Sequence, residues 1–521
     1  MPELVIKIGM LVVFFGIMIG VGIYCRKHST DVDGFVLGGR SVGPWLTAFA
    51  YGTSYFSAVV FVGYAGQFGW KYGIAATWAG IGNAIIGSLM AWAILGRRTR
   101  VMTQHLNSAT MPQFFEGRFN SKALKIASSV IIFIFLIPYT ASLYNGLSRL
   151  FGMAFHIDYS VCVIAMAVLT AIYVIAGGYM ATAINDFIQG IIMLFGIVAV
   201  IAAVLNDHGG LTEAMDKLAK VTDPAVSDTP GVFNSFLGPD PVNLLGVVLL
   251  TSLGTWGLPQ MVQKFYAIKS EKAINKGMII STIFALVVAG GCYFLGGFGR
   301  LYPVDIKADG YDAVIPTMLG NLSPILIAVV VVLVLSASMS TLSSLVLTSS
   351  STLTLDFIKG SVVKNLSEKK QLLIIRLLIA VFITISVVIA IIQYQSNVTF
   401  IAQLMGVSWG ALAGAFLAPF LFGLYWKRAT GVSVGVSFVF SSVVMILNIV
   451  NKDIFPKLLQ SPINLGVFCM LAGFVIVPVV SLFTKPPKKE YVDGVFSCYE
   501  KQVVVSASDA IGEPINKEDT K

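Results

Sequence analysis

Charged residues are scarce in this chain of 521 residues, of which Asp, Glu, Lys and Arg make up only 12%. A typical soluble domain carries about twice that share. Hydrophobic residues make up 56%, and the mean hydropathy is +0.84. Apolar runs of ~20 residues, enough to cross a bilayer, recur along almost the whole sequence. This composition excludes a soluble globular protein and predicts an all-α polytopic membrane protein surrounded by lipid.

Cysteine and histidine are also few. The five cysteines show no CxxC spacing, the four histidines are dispersed, and the sequence has neither a Walker loop nor an HExxH motif. These absences argue against a disulfide framework, a zinc site and a membrane enzyme. The net charge of +9 comes from basic residues in the loops of a membrane protein, so it does not indicate nucleic-acid binding. No obligate protein partner is predicted.

Thirteen membrane spans are predicted, and together they form one transporter-sized domain over residues 1–484. Their ranges are 4–25, 44–70, 74–96, 123–150, 159–177, 181–206, 241–262, 273–299, 323–355, 371–393, 398–425, 430–450 and 463–484. The polar tail 485–521 is expected to be an unstructured cytoplasmic extension. About two thirds of the 35 Lys and Arg residues fall in one set of loops, which predicts an outside N-terminus and a cytoplasmic C-terminus in the plasma membrane.

Two of the predicted spans contain an interruption. The second carries Tyr51-Gly-Thr-Ser-Tyr-Phe-Ser57 midway, and the seventh carries Ser252-Leu-Gly-Thr-Trp-Gly-Leu-Pro259. Glycine and proline inside a span free backbone groups, which must then be satisfied by protein, water or a ligand. The interruptions begin two five-span units, spans two to six and spans seven to eleven. Such a matched pair predicts an inverted-repeat secondary transporter with its binding site at mid-membrane, although either break alone could be a simple kink.

The ninth predicted span carries a dense hydroxyl cluster, Ser336-Ala-Ser-Met-Ser-Thr-Leu-Ser-Ser344. Hydrocarbon offers a hydroxyl no hydrogen-bond partner, so the cluster needs partners within the protein. Helical spacing places these oxygens on two adjoining faces. They could ligate a small hard cation, or the small side chains could simply let helices approach closely.

Asp186 is a carboxylate inside a predicted span, near the cytoplasmic start of the sixth. An intramembrane acid is costly and is by default a functional candidate; the alternative is a carboxylate at a helix start that faces interfacial water. Together with Ser340, Ser343 and Ser344 it would form an oxygen-only site suited to a hard cation.

The chain resembles the sodium:solute symporter family from about residue 4 to residue 484. The resemblance rests on Asp33-Gly-Phe-Val-Leu-Gly-Gly-Arg40, the broken second span, Ile184-Asn-Asp-Phe-Ile-Gln189, Gly257-Leu-Pro259 and Ala337-Ser-Met-Ser-Thr-Leu-Ser343. It implies a LeuT-type repeat of spans two to six and seven to eleven. It also implies sodium-coupled import of a small organic solute, such as pantothenate, a monocarboxylate or proline, by alternating access.

The resemblance also implies which residues bind the ions. The first sodium site would use Thr53, Phe56, Ala337, Ser340 and Thr341. Some members hold a second sodium ion at positions that match Asp186, Ser340, Ser343 and Ser344. The sequence leaves open whether one or two sodium ions are bound.

The solute would lie between the two broken helices. The candidate residues are Ser57, Gln67, Tyr139, Asn145, Trp256 and Gln260; each could equally be a packing aromatic or a hydrogen bond between helices. Tyr55, Thr251 and Thr255 replace an Asp, a Trp and a Tyr of the family's proline carriers. These departures argue against a standard proline site, whereas Tyr55, the Gly-Leu-Pro turn and Trp70-Lys-Tyr-Gly73 look more like the pantothenate branch.

Two rival functions remain open on the sequence alone. A proton-coupled carrier of the same fold would use Asp186 as its proton site, and its uptake would be unchanged when choline replaces sodium. A channel would need a continuous pore and could not accumulate solute against a gradient.

Overall fold

The structure is a computed structural model that describes residues 2–26, 31–54, 56–155, 158–320, 322–363, 366–395 and 401–500. This part of the chain is almost entirely helical, and its only β-type pairings are isolated bridges. The predicted all-α fold is therefore confirmed. Tyr55, the start of the eleventh predicted span at residues 398–400 and the end of the tail at 501–521 lie outside the described residues.

Twenty-one α-helices follow one another in the described chain. They are α1 (Pro2–Cys25), α2 (Val32–Leu37), α3 (Pro44–Thr53), α4 (Ala65–Tyr72), α5 (Thr77–Gly82), α6 (Arg97–His105), α7 (Met111–Phe119), α8 (Lys122–Phe155), α9 (Tyr159–Asp207), α10 (Leu211–Ala219), α11 (Pro241–Leu253), α12 (Pro259–Ala267), α13 (Glu271–Gly296), α14 (Ile306–Asp309), α15 (Val314–Gly320), α16 (Pro324–Thr352), α17 (Glu368–Gln395), α18 (Ile401–Tyr425), α19 (Gly431–Val450), α20 (Pro462–Phe483) and α21 (Lys489–Phe496). Wider π-helical turns occupy Val59–Tyr64, Asn83–Met90, Trp92–Gly96 and Leu353–Val362. Short 3-10 turns occupy Gly38–Arg40, Gly73–Ala76, Val232–Asn234, Gly254–Gly257, Gly299–Leu301, Tyr311–Ala313, Lys452–Ile454, Lys457–Leu459 and Ser497–Tyr499.

Counting membrane spans from the helices of the structure gives a lower number than the thirteen predicted from the sequence. Ten helical segments of the described chain are long and apolar enough to cross a membrane, or up to eleven if a pair bent by 47° counts as one span. Helices occupy every one of the thirteen predicted ranges, but one continuous segment, Val59–His105, covers parts of two of them. The count of thirteen thus stays a prediction.

Both predicted interruptions are present. In the second span, α3 ends at Thr53, and regular α-helix resumes only with α4 at Ala65. In the seventh span, α11 ends at Leu253, and α12 begins at Pro259 after the 47° bend. Proline has no N–H to donate and pushes the residue before it into extended backbone, and Leu258 has φ −81° and ψ 123°. These local rules explain the second break directly.

A third break separates the fifth and sixth predicted spans, which α9 joins. Gly178 interrupts α9 with φ 56° and ψ −151°, a conformation that residues with a Cβ rarely adopt. A Cβ at this position would also meet the ring and carbonyl of Phe35. Glycine is therefore required here both by the backbone and by the close approach of α2.

The helix α16 lies at the centre of the molecule. It packs against α1, α8, α9 and α17, and its residues from Val330 to Thr352 are all buried. On the periphery, α17 and α19 turn large apolar side chains outward, as expected of helices that face lipid. Those of α17 include Leu373, Leu377, Val381 and Val388. The hydroxyl cluster of α16 is thus in the protein interior, away from lipid.

The tail differs from the unstructured extension expected after residue 484. The helix α21 buries Val492, Val495 and Phe496, and its Tyr491 hydroxyl donates to the Gly117 carbonyl of the α7 region. The Tyr499 hydroxyl donates to the Arg98 carbonyl over 3.1 Å. The first part of the tail therefore docks on the same end of the molecule as α6 and α7.

Candidate functional site

Two hydroxyls of α16 reach the break in the second span. The Ser340 Oγ and the Thr341 Oγ1 each donate to the Thr53 carbonyl over 3.1 Å. The Thr341 Oγ1 also lies 3.3 Å from the Phe56 carbonyl. Because α3 ends at Thr53, these carbonyls have no helical partner ahead of them. The break thus leaves these carbonyls available to the side-chain hydroxyls of α16.

The fifth predicted ligand of this cluster is on α16 itself. The Ala337 carbonyl lies within hydrogen-bond distance of the same two hydroxyls, 3.0 Å from the Ser340 Oγ and 3.1 Å from the Thr341 Oγ1. The structure therefore brings together all five residues predicted for the first sodium site, with three carbonyls and two hydroxyls. All five residues are buried.

The spacing of this cluster is close to that of a cation shell. Sodium and calcium ions have nearly the same radius, and metal–oxygen distances of about 2.3–2.6 Å separate adjacent ligands of an octahedron by about 3.3–3.7 Å. The observed contacts of 3.0–3.3 Å need only a small expansion to reach it. No carboxylate belongs to the cluster, and the described chain holds no group of three or more His, Cys, Asp or Glu residues arranged for a metal ion.

The residues predicted for the second sodium site surround a lysine. The Lys264 Nζ donates to the Ser344 Oγ over 3.0 Å and lies 3.9 Å from the Asp186 Oδ2. Lys264 and Asp186 are both almost completely buried. The Ser343 Oγ donates to the Ser340 carbonyl of its own helix over 2.9 Å. The structure thus brings Asp186 and Ser344 together, with an ammonium group between them.

Sequence reasoning missed Lys264 and Ser54. The seventh span was predicted to end at residue 262, which left Lys264 in a cytoplasmic loop, whereas α12 continues to Ala267 with all nine residues buried. Ser54 lies directly after α3, and its Oγ is 3.0 Å from the Ser344 Oγ. The signal for Lys264 was the Pro259 at the break, because proline often occupies the first turn of a new helix.

A second buried carboxylate was also missed. The span that contains α16 runs on to Lys359 and so includes Asp356. The carboxylate of Asp356 accepts from the Thr110 Oγ1 over 2.6 Å and from the Gln113 Nε2 over 2.9 Å. These bonds join the end of the ninth span to α7, and the carboxylate has a structural explanation there.

Three of the predicted solute residues come from α4, α8 and the first break. Gln67 is buried and lines a large cavity. The Ser57 Oγ accepts from the Val59 N–H over 3.2 Å. The Tyr139 hydroxyl lies beside Ser57 and Trp409, and within the described part of the chain it forms no hydrogen bond of normal geometry. Gln67 and Tyr139 thus keep polar groups that a solute could use.

The other three differ from one another. The Asn145 Oδ1 accepts from the Tyr159 hydroxyl, and the Trp256 Nε1 donates to the Ile86 carbonyl over 2.9 Å, so both side chains connect helices. Gln260 is fully buried in the first turn of α12, and neither atom of its amide has a hydrogen-bond partner among the residues that the structure describes. Gln260 is therefore the strongest solute-binding candidate of the six.

The large cavity has a volume of about 1090 Å³, comparable to the largest small-molecule pockets. It lies toward the loop at 207–240, which contributes Asp223 and Asp240 to the lining. Lys71 and Arg300 also line it, and the Arg300 Nη1 forms an ion pair with the Asp223 Oδ2 at 2.9 Å. Of the six predicted solute residues, only Gln67 is among those that line this cavity.

A pair of broken spans, a buried oxygen cluster at one break and a cavity on one side define an ion-coupled secondary carrier. The family comparison gives the particular assignment: residues 35–434 match the sodium:solute symporter family, and the chain belongs to it. Sodium/proline symporters of Staphylococcus aureus strains JH9 and N315 are each 32% identical to it over 495 residues, covering 92% of this chain and 93% of the relative.

The fold agrees with a solved structure of a Na+-coupled sialic acid symporter in a substrate-bound, outward-open state. The TM-score is 0.75 at 18% identity, covering 93% of this chain and 98% of that one. The predicted LeuT-type fold is thus confirmed. The protein is a multi-pass membrane carrier and not an enzyme, and it couples a sodium ion to the symport of a small solute.

Proposed function

We propose that the protein imports a small organic solute with a carboxylate or amino-acid group, driven by a sodium ion bound at the first break. The ion ligands are the carbonyls of Thr53, Phe56 and Ala337 and the hydroxyls of Ser340 and Thr341. The observation that carries this assignment is the convergence of both hydroxyls on the Thr53 carbonyl at 3.1 Å. The same convergence links the broken helix to α16, so an ion bound here affects the position of both.

The solute class follows from the second break. The α12 helix starts at Pro259 in the protein interior, and a helix start carries partial positive charge that favours an anionic group. At the same place, Gln260 adds a buried amide whose nitrogen and oxygen bond to none of the described residues. The relatives named sodium/proline symporters support a solute of this size and charge.

Proline itself is one of several candidates. Thr251 and Thr255 stand where proline carriers of the family have aromatic residues, and their hydroxyls donate to the Val247 and Ser252 carbonyls of the same span over 2.9 Å and 2.8 Å. They contribute no aromatic surface to a proline ring. We therefore place pantothenate and short monocarboxylates beside proline as solutes.

The proposed orientation puts the N-terminus outside and the C-terminus in the cytoplasm of the cell membrane. The excess of Lys and Arg in the loops on the α6–α7 side supports it. The large cavity is then on the outer side. On the inner side, the Arg40 Nη2 donates to the Ser108 carbonyl over 2.6 Å, and α21 covers α6 and α7. This arrangement corresponds to an outward-facing carrier with a closed cytoplasmic end.

Transport then follows alternating access. An outside sodium ion draws the carbonyls of the break and the hydroxyls of α16 around itself, which stabilises the state that binds solute. Coupling requires the ion to bind one conformation more tightly than the other, because equal affinities shift no equilibrium. Moving one charge inward through 100 mV supplies about 2.3 kcal/mol.

The ion site is tested by sodium-dependent uptake in proteoliposomes. Ser340→Ala and Thr341→Ala should each raise the half-saturating sodium concentration about tenfold to hundredfold, since a hydroxyl bonded to a charge contributes roughly 1.5–3 kcal/mol. Ser386→Ala is the matched control, because this buried hydroxyl donates to the Phe382 carbonyl of its own helix, away from the proposed ion ligands. Wild-type uptake at limiting sodium by both variants would refute the site.

The solute is identified by uptake of radiolabelled pantothenate, short monocarboxylates, proline and sugars, with sodium or with choline outside. We expect sodium-dependent accumulation of a carboxylate-bearing compound, and Gln260→Leu should weaken its apparent affinity. Accumulation of a neutral sugar alone would contradict the proposed solute class while leaving the ion site untouched.

A further inference from the structure

The ammonium group of Lys264 has the surroundings of a bound cation. Its Nζ donates to the Ser344 Oγ over 3.0 Å, lies 3.9 Å from the Asp186 Oδ2 and is 5.0 Å from the centre of the Tyr179 ring. A hydroxyl, a carboxylate and an aromatic face are all groups that attract a positive charge. Two of these groups belong to Asp186 and Ser344, which are among the four residues predicted to hold a second sodium ion.

The charge balance of this region allows one cation. Asp186 is fully buried and Lys264 is 2% exposed. Among the described residues, Asp186 is the carboxylate that forms an ion pair with Lys264. A sodium ion bound to Asp186 and Ser344 would share one negative charge with a nearby ammonium group. Two positive charges at close range in a poorly polarisable interior repel strongly.

Geometry gives the same answer. The Ser344 Oγ is engaged by both Lys264 and Ser54, and the Ser343 Oγ donates to the Ser340 carbonyl. A sodium ion would have to displace the ammonium group to collect these oxygens. The lysine is bonded to the chain and cannot leave with the solute, so it carries no net charge across the membrane.

We propose that Lys264 is a tethered cation that fills the second cation site, so that this carrier binds and moves a single sodium ion per solute. The inference rests on the proposed first sodium site for that single ion. It assigns Asp186 a partner within the protein, and it makes Lys264 the residue that sets the number of coupled ions.

The test is equilibrium binding of radioactive sodium to the purified full-length protein in detergent, which needs no knowledge of the solute. Wild type should bind one sodium ion per chain. Lys264→Gln should bind two, because the ammonium group no longer occupies the space beside Asp186 and Ser344. The double variant D186N/K264Q should return to one. Lys269→Gln is the matched control, since this exposed lysine lies just after the end of α12. The variant should still bind one sodium ion per chain.

The outcomes separate the two proposals. Two sodium ions in wild type, or one in a folded Lys264→Gln, would overturn the tethered cation. If Lys264→Gln does not give a monodisperse protein, the numbers of sodium ions bound by wild type and by D186N/K264Q still decide. One ion per chain in both proteins supports the inference. Two ions in wild type and one in the double variant overturn it. Thr341→Val in the Lys264→Gln background should remove one ion of two. If this variant still binds two ions, the first site is refuted and the tethered cation is not.

Discussion

The two candidate cation sites lie one helical turn apart on α16 and are built in opposite ways. At the first, neutral oxygens of Thr53, Phe56, Ala337, Ser340 and Thr341 converge without any charged side chain. At the second, the charges of Asp186 and Lys264 face each other at 3.9 Å. A neutral site gains its charge only when an ion arrives, so it can respond to an ion gradient. A site that is neutralised by its own lysine cannot.

The two sites are nevertheless connected. The Ser54 Oγ, at the end of α3, is 3.0 Å from the Ser344 Oγ, while the Thr53 carbonyl one residue earlier accepts from Ser340 and Thr341. The Ser344 hydroxyl that bonds to Lys264 therefore also contacts the break that forms the first ion site. The hydrogen bond between Ser54 and Ser344 thus joins the end of α3 to α16 directly beside Lys264.

The largest effect should come from removing one charge of the buried pair. Asp186→Asn leaves the Lys264 ammonium uncompensated in the interior, which costs roughly 3–5 kcal/mol of stability. The double variant D186N/K264Q removes both charges and should recover most of that loss. Thermal unfolding of the purified protein in detergent, followed by tryptophan fluorescence, measures both.

The comparison of single and double variants is what decides this prediction. If the double variant is as destabilised as Asp186→Asn or more so, the unpaired ammonium of Lys264 is not the source of the loss; independent groups would give a double-variant loss equal to the sum of the two single losses. Ser386→Ala again provides a control for a buried polar substitution in a spanning helix, and it should change the unfolding temperature far less than Asp186→Asn.

The first site was predictable from sequence because its features are local. A run of hydroxyls within an apolar span and a Gly-Thr-Ser interruption are both visible in one dimension, and the family resemblance then matched individual positions. The structure adds the distances, with Ser340 and Thr341 converging on the single Thr53 carbonyl. The inverted repeat was predictable from the matched pair of breaks, and its LeuT type from the family resemblance, whereas the number of spans depends on how bent and merged helices are divided.

The second site could not be predicted completely because it depends on a bend. Hydropathy assigns a lysine after an apolar run to a loop, and only the continuation of α12 past Pro259 brings Lys264 into the interior. The docked α21 was missed for a related reason. Its apolar residues Val492, Val495 and Phe496 have helical spacing, but the segment is short, and its partner surface on α6 and α7 exists only in the folded chain.

A smaller effect distinguishes the hydroxyls of the two sites. Ser344→Ala removes a hydrogen-bond acceptor of Lys264 and should lower stability by roughly 1.5–3 kcal/mol, as for other bonds to charged groups. The Ser344→Ala variant should keep a half-saturating sodium concentration within about threefold of wild type, because Ser344 is not a ligand of the single ion. A threefold change corresponds to less than about 1 kcal/mol. Sodium titrations of uptake check this against Ser340→Ala. A tenfold rise for Ser344→Ala would contradict this prediction, because sodium binding at the first site would then depend on Ser344.

The smallest effect is expected at an exposed pair of the same chemistry. The Lys427 Nζ lies 2.8 Å from the Asp493 Oδ1, closer than in the buried pair, but about half of each side chain is exposed. Their hydrogen bond raises the pKa of Lys427 and lowers the pKa of Asp493. The contribution of Asp493 to the free energy of unfolding is therefore fully present above the pKa that it has in the unfolded chain. It is lost as the pH falls through the lower pKa that it has in the folded protein. The contribution of Lys427 is present below its unfolded pKa and is lost as the pH rises through its higher folded pKa.

Between about pH 4 and pH 10, the reference pKa values of the two groups, this exposed pair should add no pH dependence to stability. Asp493→Asn should leave the unfolding temperature unchanged in high choline chloride, because salt screens exposed charges over about 8 Å at physiological ionic strength and over less above it. Asp186→Asn should retain its full effect in the same salt, because little solvent or salt reaches its carboxylate. Equal salt sensitivity of the two variants would show that the Lys264 site is open to bulk ions, and the contrast between a tethered cation and an exchangeable one would then fail.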